Sequence, residues 1–270
     1  MTPSQPVAAL VLAGTRPGEV DPVARAVGVP FKCLAPIGGR AMVERVVEAL
    51  AELPTVARIL VLADPAARLD ELPAIARLAT EGRLTLHRPE TTPATSVETG
   101  LARAEGLPLL VTTADHPLLD RLILEAFLEP ALASGAAVVV GLAPEWAVRA
   151  AAASTRRTWW RFADGRFSGA NLFLLRGEAA RPALAFWRRV EAERKRPWRI
   201  VRLFGLENLL LYVTGRLTLS RAMARASRRL GCTVAAVPIP IGEAAIDVDR
   251  PADLAHAEAI LAGRAARRPP

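Results

Sequence analysis

Several residue types are scarce in this sequence, and each scarcity excludes something. Cys33 and Cys232 are the only cysteines. They are too few and too far apart for a disulfide framework or a zinc site, so both are expected to be free thiols. Aromatic residues make up 5% of the chain, which is little for a surface that stacks bases along a nucleic-acid strand. No uncharged apolar run reaches membrane-spanning length. The first six residues are short and polar, and the apolar run at residues 7–12 leads to Gly14 rather than to a cleavage site, so no secretion signal is read and a cytoplasmic protein is expected. Lysine is nearly missing: of 35 basic residues only Lys32 and Lys195 are lysine.

Arginine takes its place, and the formal net charge is +8 at pH 7. Such a balance suits a partner that carries phosphates, whether nucleotides, nucleic acid or an anionic membrane surface. Hydrophobic residues make up 51% of the chain, enough for a sizeable core, and the length fits a single domain spanning residues 1–270 with a substantial insertion. A chain that writes arginine almost everywhere yet keeps Lys32 beside a glycine-rich loop points to a compact ammonium that a planar guanidinium does not replace. The alternative for Lys32 is chance.

That loop is what the chain is organised around. Residues 7–12 are a short apolar run followed by glycine, the pattern of a fully buried parallel strand. Residues 40–50 have helical spacing through Met42, Val43, Val46, Val47 and Leu50. Between them lies a long strand-to-helix loop rich in glycine and proline. In open α/β sheets ligands bind beyond the carboxyl ends of the strands, and glycines there let backbone N–H groups close around phosphates.

Further strands are expected at residues 57–63, 84–87, 107–113 and 136–141, and helices at about 66–80, 95–104 and 118–133, with Thr95 or Ser96 as the N-cap of the second. Strand alternating with helix through short connections predicts a mostly parallel α/β sheet with helices on both faces. From residue 144 the pattern changes. Residues 147–153 read as a helix or loop. Residues 158–162 and 171–176 look like strands with a tight Asp164-Gly165 turn between them, and residues 178–230 read as a basic, mainly helical insertion. A strand at 233–239 and a helix at 250–262, with Pro251 in its first turn, close the pattern.

Asp115 stands where a buried strand runs out, so its carboxylate would project into the crevice of the Gly14 loop. A carboxylate there is an ordinary way to hold Mg²⁺ with few protein ligands, the alternative being an N-cap for the next helix. His116 is read as a structural neighbour, since Mg²⁺ prefers oxygen. In D-V-D-R-P-A-D-L, Asp247 and Asp249 fall on one side of an extended segment and suit a shared cation, while Asp253 falls in a first helical turn, where negative charge is favoured anyway. Ser168, Gly169 and Asn171, at the start of a strand, are either an acceptor-binding contact or a turn.

The motifs L-A-G-T-R-P-G, P-F-K-C-L-A-P-I-G-G-R-A-M, T-T-P-A-T-S-V-E-T-G-L, T-T-A-D-H-P-L and D-V-D-R-P-A-D-L occur in that order. Together they resemble nucleotidyltransferases of the Rossmann-like, GT-A-like fold, most closely the molybdenum-cofactor nucleotidyltransferase type. The resemblance covers residues 7–141 and 231–262 and leaves 145–230 loosely explained. It implies that Leu12, Ala13, Gly14, Thr15 and Arg16 surround the nucleotide, that Lys32 stabilises charge developing at the α-phosphate, and that Ser96 lies near the base. It also implies that Asp115 and Asp249, with Asp247 as the rival for the second position, hold Mg²⁺. Two departures stand out. Thr15 takes the place of the second glycine usual in that family, and Arg16 comes early in a longer loop, which leaves Arg25 as a candidate substitute.

The expected activity is therefore Mg²⁺-dependent transfer of NMP from an NTP, CTP or GTP being favoured, to a phosphorylated small-molecule acceptor, with release of pyrophosphate. One rival is a glycosyltransferase of the same fold, which would normally show two acidic residues around Asp115. The other is a non-enzymatic basic protein that binds nucleic acid or a membrane surface; nucleic acid is not expected, because acidic residues stand at the strand ends. In residues 181–230 apolar and aromatic residues accompany many arginines. This segment either packs on the sheet or lies on an anionic membrane, making the protein peripheral at the inner membrane face.

Overall fold

The computed structural model describes residues 5–15, 21–151, 158–193 and 206–267. In chain order the strands and helices begin β1 (Val7–Leu12), α1 (Pro22–Val27), β2 (Pro36–Ile37), β3 (Arg40–Ala41), α2 (Met42–Ala51), β4 (Val56–Leu62), α3 (Pro73–Thr80) and β5 (Leu84–His87). They continue with α4 (Pro93–Arg103), β6 (Leu109–Thr113), α5 (Arg121–Ala133), β7 (Val138–Pro144), α6 (Glu145–Ala151), β8 (Trp160–Phe162) and β9 (Gly165–Leu175). The rest are α7 (Arg181–Ala192), α8 (Leu206–Val213), α9 (Leu219–Leu230), β10 (Val234–Pro238) and α10 (Pro251–Arg267). The chain adopts the expected α/β class, a mostly parallel central sheet flanked by helices. It forms two compact units, Met1–Pro89 with Thr112–Leu124 and Ile246–Pro270, and Glu90–Val111 with Glu125–Ala245.

In the first unit β1 pairs in parallel with β4, and β4 with β5. Val7 to Val11 are fully buried, which is why this strand is apolar on both faces. Helix α2 turns Met42, Val43, Val46, Val47 and Leu50 inward, all fully buried at the helical spacing read from the sequence. Its Glu44 is 7% exposed, yet it is satisfied: one carboxylate oxygen accepts the Ala41 N–H at 3.3 Å and the other the Ala74 N–H at 3.1 Å. One buried anion thus serves the amino-terminal ends of both α2 and α3.

The segment expected to be one long loop between β1 and α2 is more ordered than that. Asp21 caps α1 by accepting the N–H groups of Val23 and Ala24, at 2.8 and 3.1 Å, and Gly28 ends the helix at φ 72°. After a short 3₁₀ turn at Lys32–Leu34, β2 and β3 form a small hairpin. Its turn residues Gly38 and Gly39 have φ 52° and 77°, a pairing in which both central positions favour glycine. The Arg45 guanidinium locks the hairpin by donating to the carbonyls of Ile37 and Gly38. The expected helix at 66–80 is also shorter: Arg68 is left-handed at φ 48°, two 3₁₀ turns precede it, and α3 starts only at Pro73.

In the second unit β10 pairs in parallel with β7, while β9 runs antiparallel to β6, β7 and β8. The Asp164-Gly165 turn joins β8 to β9 as read from the sequence, with Phe162 opposite Gly165. Helices α7, α8 and α9 lie within residues 178–230. Helix α5 begins at Arg121 rather than 118, with Asp120 accepting the Ile123 N–H at 2.9 Å. Among the described residues no helix is long and apolar enough to cross a membrane.

Replacing Glu44 by alanine would strand the N–H groups of Ala41 and Ala74. The cost is expected to be about 1–3 kcal/mol, read as a lower thermal unfolding midpoint. An unchanged midpoint would mean that water replaces the carboxylate at both helix ends.

Candidate active site

Three segments of the first unit, far apart in sequence, meet at Lys32. Its ammonium nitrogen lies 2.7 Å from Asp115 Oδ2 and 2.8 Å from Asp249 Oδ1. The lysine side chain is only 16% exposed, and Asp249 is the open side of the site at 66%. Burial by itself would pull the lysine pKa down, but the charges and hydrogen bonds of Asp115 and Asp249 more than reverse this and hold it above the ordinary value. Lys32 is thus a fixed cation. The neighbouring Cys33 thiol is pushed up to about 11 by burial, which keeps it protonated.

Each member of the triad is placed by backbone pairing. Lys32 opens the 3₁₀ turn, whose Ala35 N–H donates to the Lys32 carbonyl at 3.0 Å. Asp115 follows the end of β6, where the Ala114 N–H donates to the Leu12 carbonyl at 2.9 Å. The carboxyl ends of β1 and β6 therefore lie together, and Ala13-Gly14 and Asp115 leave from the same place. The Asp115 carbonyl in turn accepts the Val248 N–H at 2.9 Å. Ile246 and Val248 are fully buried, Asp247 is half-buried and Asp249 is exposed, the alternation of an extended segment. It is the Asp249 carboxylate that reaches Lys32.

Asp253 does more than complement the helix dipole. It is 6% exposed, and its Oδ2 accepts the N–H groups of Asp249 at 3.3 Å and Arg250 at 2.9 Å. The first turn of α10 thereby fixes the backbone from which Asp249 projects. Sequence reading took Asp253 only as a charge suited to a helix start; the D-x-x-x-D spacing was the available signal. Two further groups were not singled out. The Thr112 and Thr113 hydroxyls, at the end of β6, are buried and without a hydrogen-bond partner among the described residues.

The loop after β1 is described in part. Leu12 is half-buried, Ala13 buried, and Gly14 and Thr15 are exposed. A side chain at Gly14 would put its Cβ 3.2 Å from Pro89 Cβ, a close approach that favours glycine. Arg16 lies outside the described residues. Arg25 is exposed in the last turn of α1.

Ser96, Ser168, Gly169 and Asn171 belong to the second unit. Ser96 is 3% exposed, and its hydroxyl oxygen accepts the Glu90 N–H at 3.0 Å, so it braces the loop that leads into α4. The N-cap of α4 is Thr92, not Thr95 or Ser96: Pro93 occupies the first helical position, and the side chains of Thr92 and Thr95 each accept the other's N–H. Ser168 and Gly169 lie within the long strand β9, opposite Ala143 and Leu142, rather than at its start. Asn171 is left-handed at φ 49°, beside the register shift between Val140 and Leu142. It marks a bulge rather than a turn, and asparagine tolerates that conformation.

Asp115 and Asp249 are the residues of this centre that could hold a divalent cation. Both offer hard oxygen donors, and Asp115 Oδ1 is buried without a hydrogen-bond partner among the described residues. Among those residues no group of three or more acidic, histidine or cysteine side chains forms a closed metal cage. An ion that keeps part of its water shell and is shared with a phosphate needs no such cage.

The family model described as MobA-like NTP transferase domain matches residues 9–200. Among solved structures, a hypothetical transferase from Thermus thermophilus is 35% identical, with a TM-score of 0.77 over 93% of this chain and 100% of that one. The 2-C-methyl-D-erythritol 4-phosphate cytidylyltransferase from Thermus thermophilus shares 18% identity, with a TM-score of 0.52 over 95% and 98% of the two chains. A 4-diphosphocytidyl-2C-methyl-D-erythritol synthase from Anaerococcus prevotii shares 12%, with a TM-score of 0.54 over 96% and 97%. At these identities the last two establish likeness of fold. No curated protein matches significantly.

Because its pKa is raised, Lys32 should stay protonated through the ordinary lysine value of about 10.4. Titration followed by NMR of the methylated amine should show a midpoint above that value, and Asp115→Asn should lower it. A midpoint below it in the parent protein would mean that burial outweighs the carboxylates.

Proposed function

The chain belongs to the MobA-like NTP transferase family and is a nucleotidyltransferase, and from that premise we propose that it moves NMP from an NTP to a phosphorylated small-molecule acceptor, with Mg²⁺ as cofactor. The observation that carries this reading is the Lys32 ammonium held between Asp115 and Asp249 at the carboxyl ends of β1 and β6.

In the reaction a phosphate oxygen of the acceptor attacks the α-phosphorus in line, the bond to the β-phosphate oxygen breaks, and pyrophosphate leaves. Little covalent help is needed; positioning and positive charge at the phosphoryl oxygens supply the catalysis. Lys32, permanently charged and restrained on two sides, faces the α-phosphate as a preorganised cation. The backbone N–H groups around Gly14 and Thr15 receive the phosphates of the nucleotide. Asp115 and Asp249 would hold Mg²⁺, and the ion would supply positive charge to the phosphates there. Asp253 keeps Asp249 in place, and Arg16 adds a second positive group from the loop. By resemblance Ser96 is proposed as a nucleotide contact, and Ser168, Gly169 and Asn171 are proposed as acceptor contacts.

The cytidylyltransferase neighbours make CTP the first nucleotide to try, with GTP second. On this reading the enzyme works in the cytoplasm, with peripheral contact at the inner membrane face as a further proposal, and nucleic acid is not an expected partner. The glycosyltransferase alternative has no second acidic residue beside Asp115, and the family match favours the NTP reading.

A thermal-shift panel of four NTPs with Mg²⁺ should pick out the cognate nucleotide, because a ligand that binds only the native state raises apparent stability. With that nucleotide, Asp115→Asn should abolish Mg²⁺-dependent pyrophosphate release in a protein that still folds, with a lowered melting midpoint because the Lys32 ammonium loses one of its two counter-charges. Lys32→Ala should lower kcat by about a hundredfold or more with a much smaller change in nucleotide Kd. Parent-like turnover in the Asp115 variant would remove it from the site. Equal losses of kcat and affinity in the Lys32 variant would make that residue a ground-state anchor.

A further inference from the structure

The second unit carries an apolar group that its own core does not cover. Trp160 is 52% exposed, Leu210 63% and Val213 74%. They share one locality. The Arg161 N–H donates to the Tyr212 hydroxyl at 3.1 Å, and the Tyr212 ring stands edge-on to Phe162 with centroids 6.1 Å apart, so β8 and α8 are packed together. Trp160 precedes Arg161 on that strand, and Leu210 and Val213 flank Tyr212 on that helix.

Arginines stand on the same elements and on the helix that follows them. The turn after α8 closes on the same hairpin, because the Ala163 N–H donates to the Leu217 carbonyl and Asp164 accepts the Leu219 N–H, both at 2.9 Å. Helix α9 therefore starts from the tip of the β8–β9 hairpin. It contains no acidic residue, and Arg221, Arg225 and Arg228 follow one another at the spacing of a single helical face. Arg161, Arg216, Arg221 and Arg228 are exposed.

We propose that this face docks on an anionic membrane, with Trp160, Leu210 and Val213 entering the boundary between head groups and acyl chains while the arginines meet the lipid phosphates. The composition favours that occupant over others. Aromatic and aliphatic tips set among arginines are what interfacial elements present, and long arginine side chains keep their charge in the head-group layer as the apolar atoms sink. A second copy of this chain would bring like charges together. A nucleic acid would use the arginines and Trp160 but gain little from Leu210 and Val213. The proposal names the surface behind the peripheral placement given above, and it stands or falls apart from the nucleotide chemistry.

The test is flotation of the full-length protein with vesicles of phosphatidylcholine alone or mixed with phosphatidylglycerol, at low and high salt. Binding is expected to the anionic vesicles at low salt, to weaken as salt screens the charges, and to be absent with the neutral vesicles. Arg221→Glu with Arg228→Glu should weaken it by about tenfold or more. Val213→Asp should weaken it separately, with nucleotidyl transfer to soluble acceptors and the melting midpoint kept in both variants. No binding to anionic vesicles at low salt would overturn the proposal. Binding that ignores both sets of changes, or retention by nucleic acid on a gel with none by vesicles, would overturn it as well. Loss of transfer with intact flotation would instead count against the enzymatic reading alone.

Discussion

The candidate site of the first unit depends on one half-buried cation and its two anions. An ammonium removed from water costs several kcal/mol unless opposite charge and hydrogen bonds meet it. Here Asp115 and Asp249 do so at 2.7 and 2.8 Å. The same requirement runs the other way, since neither carboxylate would sit comfortably beside the other without a positive charge between them. The arrangement explains why lysine survives at this position in an arginine-rich chain. A single nitrogen can face two carboxylates from between, whereas a planar guanidinium offers a fork and needs more room.

The pair of anions is only as good as the backbone beneath it. Asp115 is tied to β1 through Ala114 and Leu12, and to the segment of Asp249 through its own carbonyl and the Val248 N–H. Asp253 supplies the last constraint, a nearly buried carboxylate that spends its acceptor capacity on the N–H groups of Asp249 and Arg250. The side chains of this centre thus rest on hydrogen bonds already satisfied within the chain, which is what a preorganised electrostatic site requires. The mean separation of these residues along the chain is large, so the tertiary fold rather than local propensity creates the site.

The parts of this architecture legible in the sequence are those with a local physical signature. Apolar runs marked β1, β4 and β6, and the four-residue spacing of Met42, Val46 and Leu50 marked α2. The scarcity of lysine drew attention to Lys32, and the end of an apolar strand drew it to Asp115. What escaped depended on contacts between distant segments or on turn chemistry competing with periodicity. Helix α1 is short and capped by Asp21 and Gly28 inside what reads as loop. The start of α4 is set by Thr92 and Pro93, which outrank Thr95 and Ser96 as a cap. The Ser168-to-Asn171 stretch looks like a turn because its residues are small and polar, but the pairing of β9 with β7 overrides that and leaves only a bulge at Asn171. The four-residue spacing of Asp249 and Asp253 was the one local sign that Asp253 holds the backbone of Asp249, and it is easily passed over because a carboxylate in a first helical turn is ordinary.

The first unit is written in three pieces, with its last piece beginning at Ile246, after the whole of the second unit's chain. During synthesis Lys32 and Asp115 leave the ribosome long before Asp249 does. At ordinary translation speeds the interval between the two aspartates is on the order of ten seconds. For that time the nascent chain carries an ammonium with one of its two counter-charges missing and Asp115 without the strap from Val248. The final segment is thus the step that completes the charge balance around Lys32.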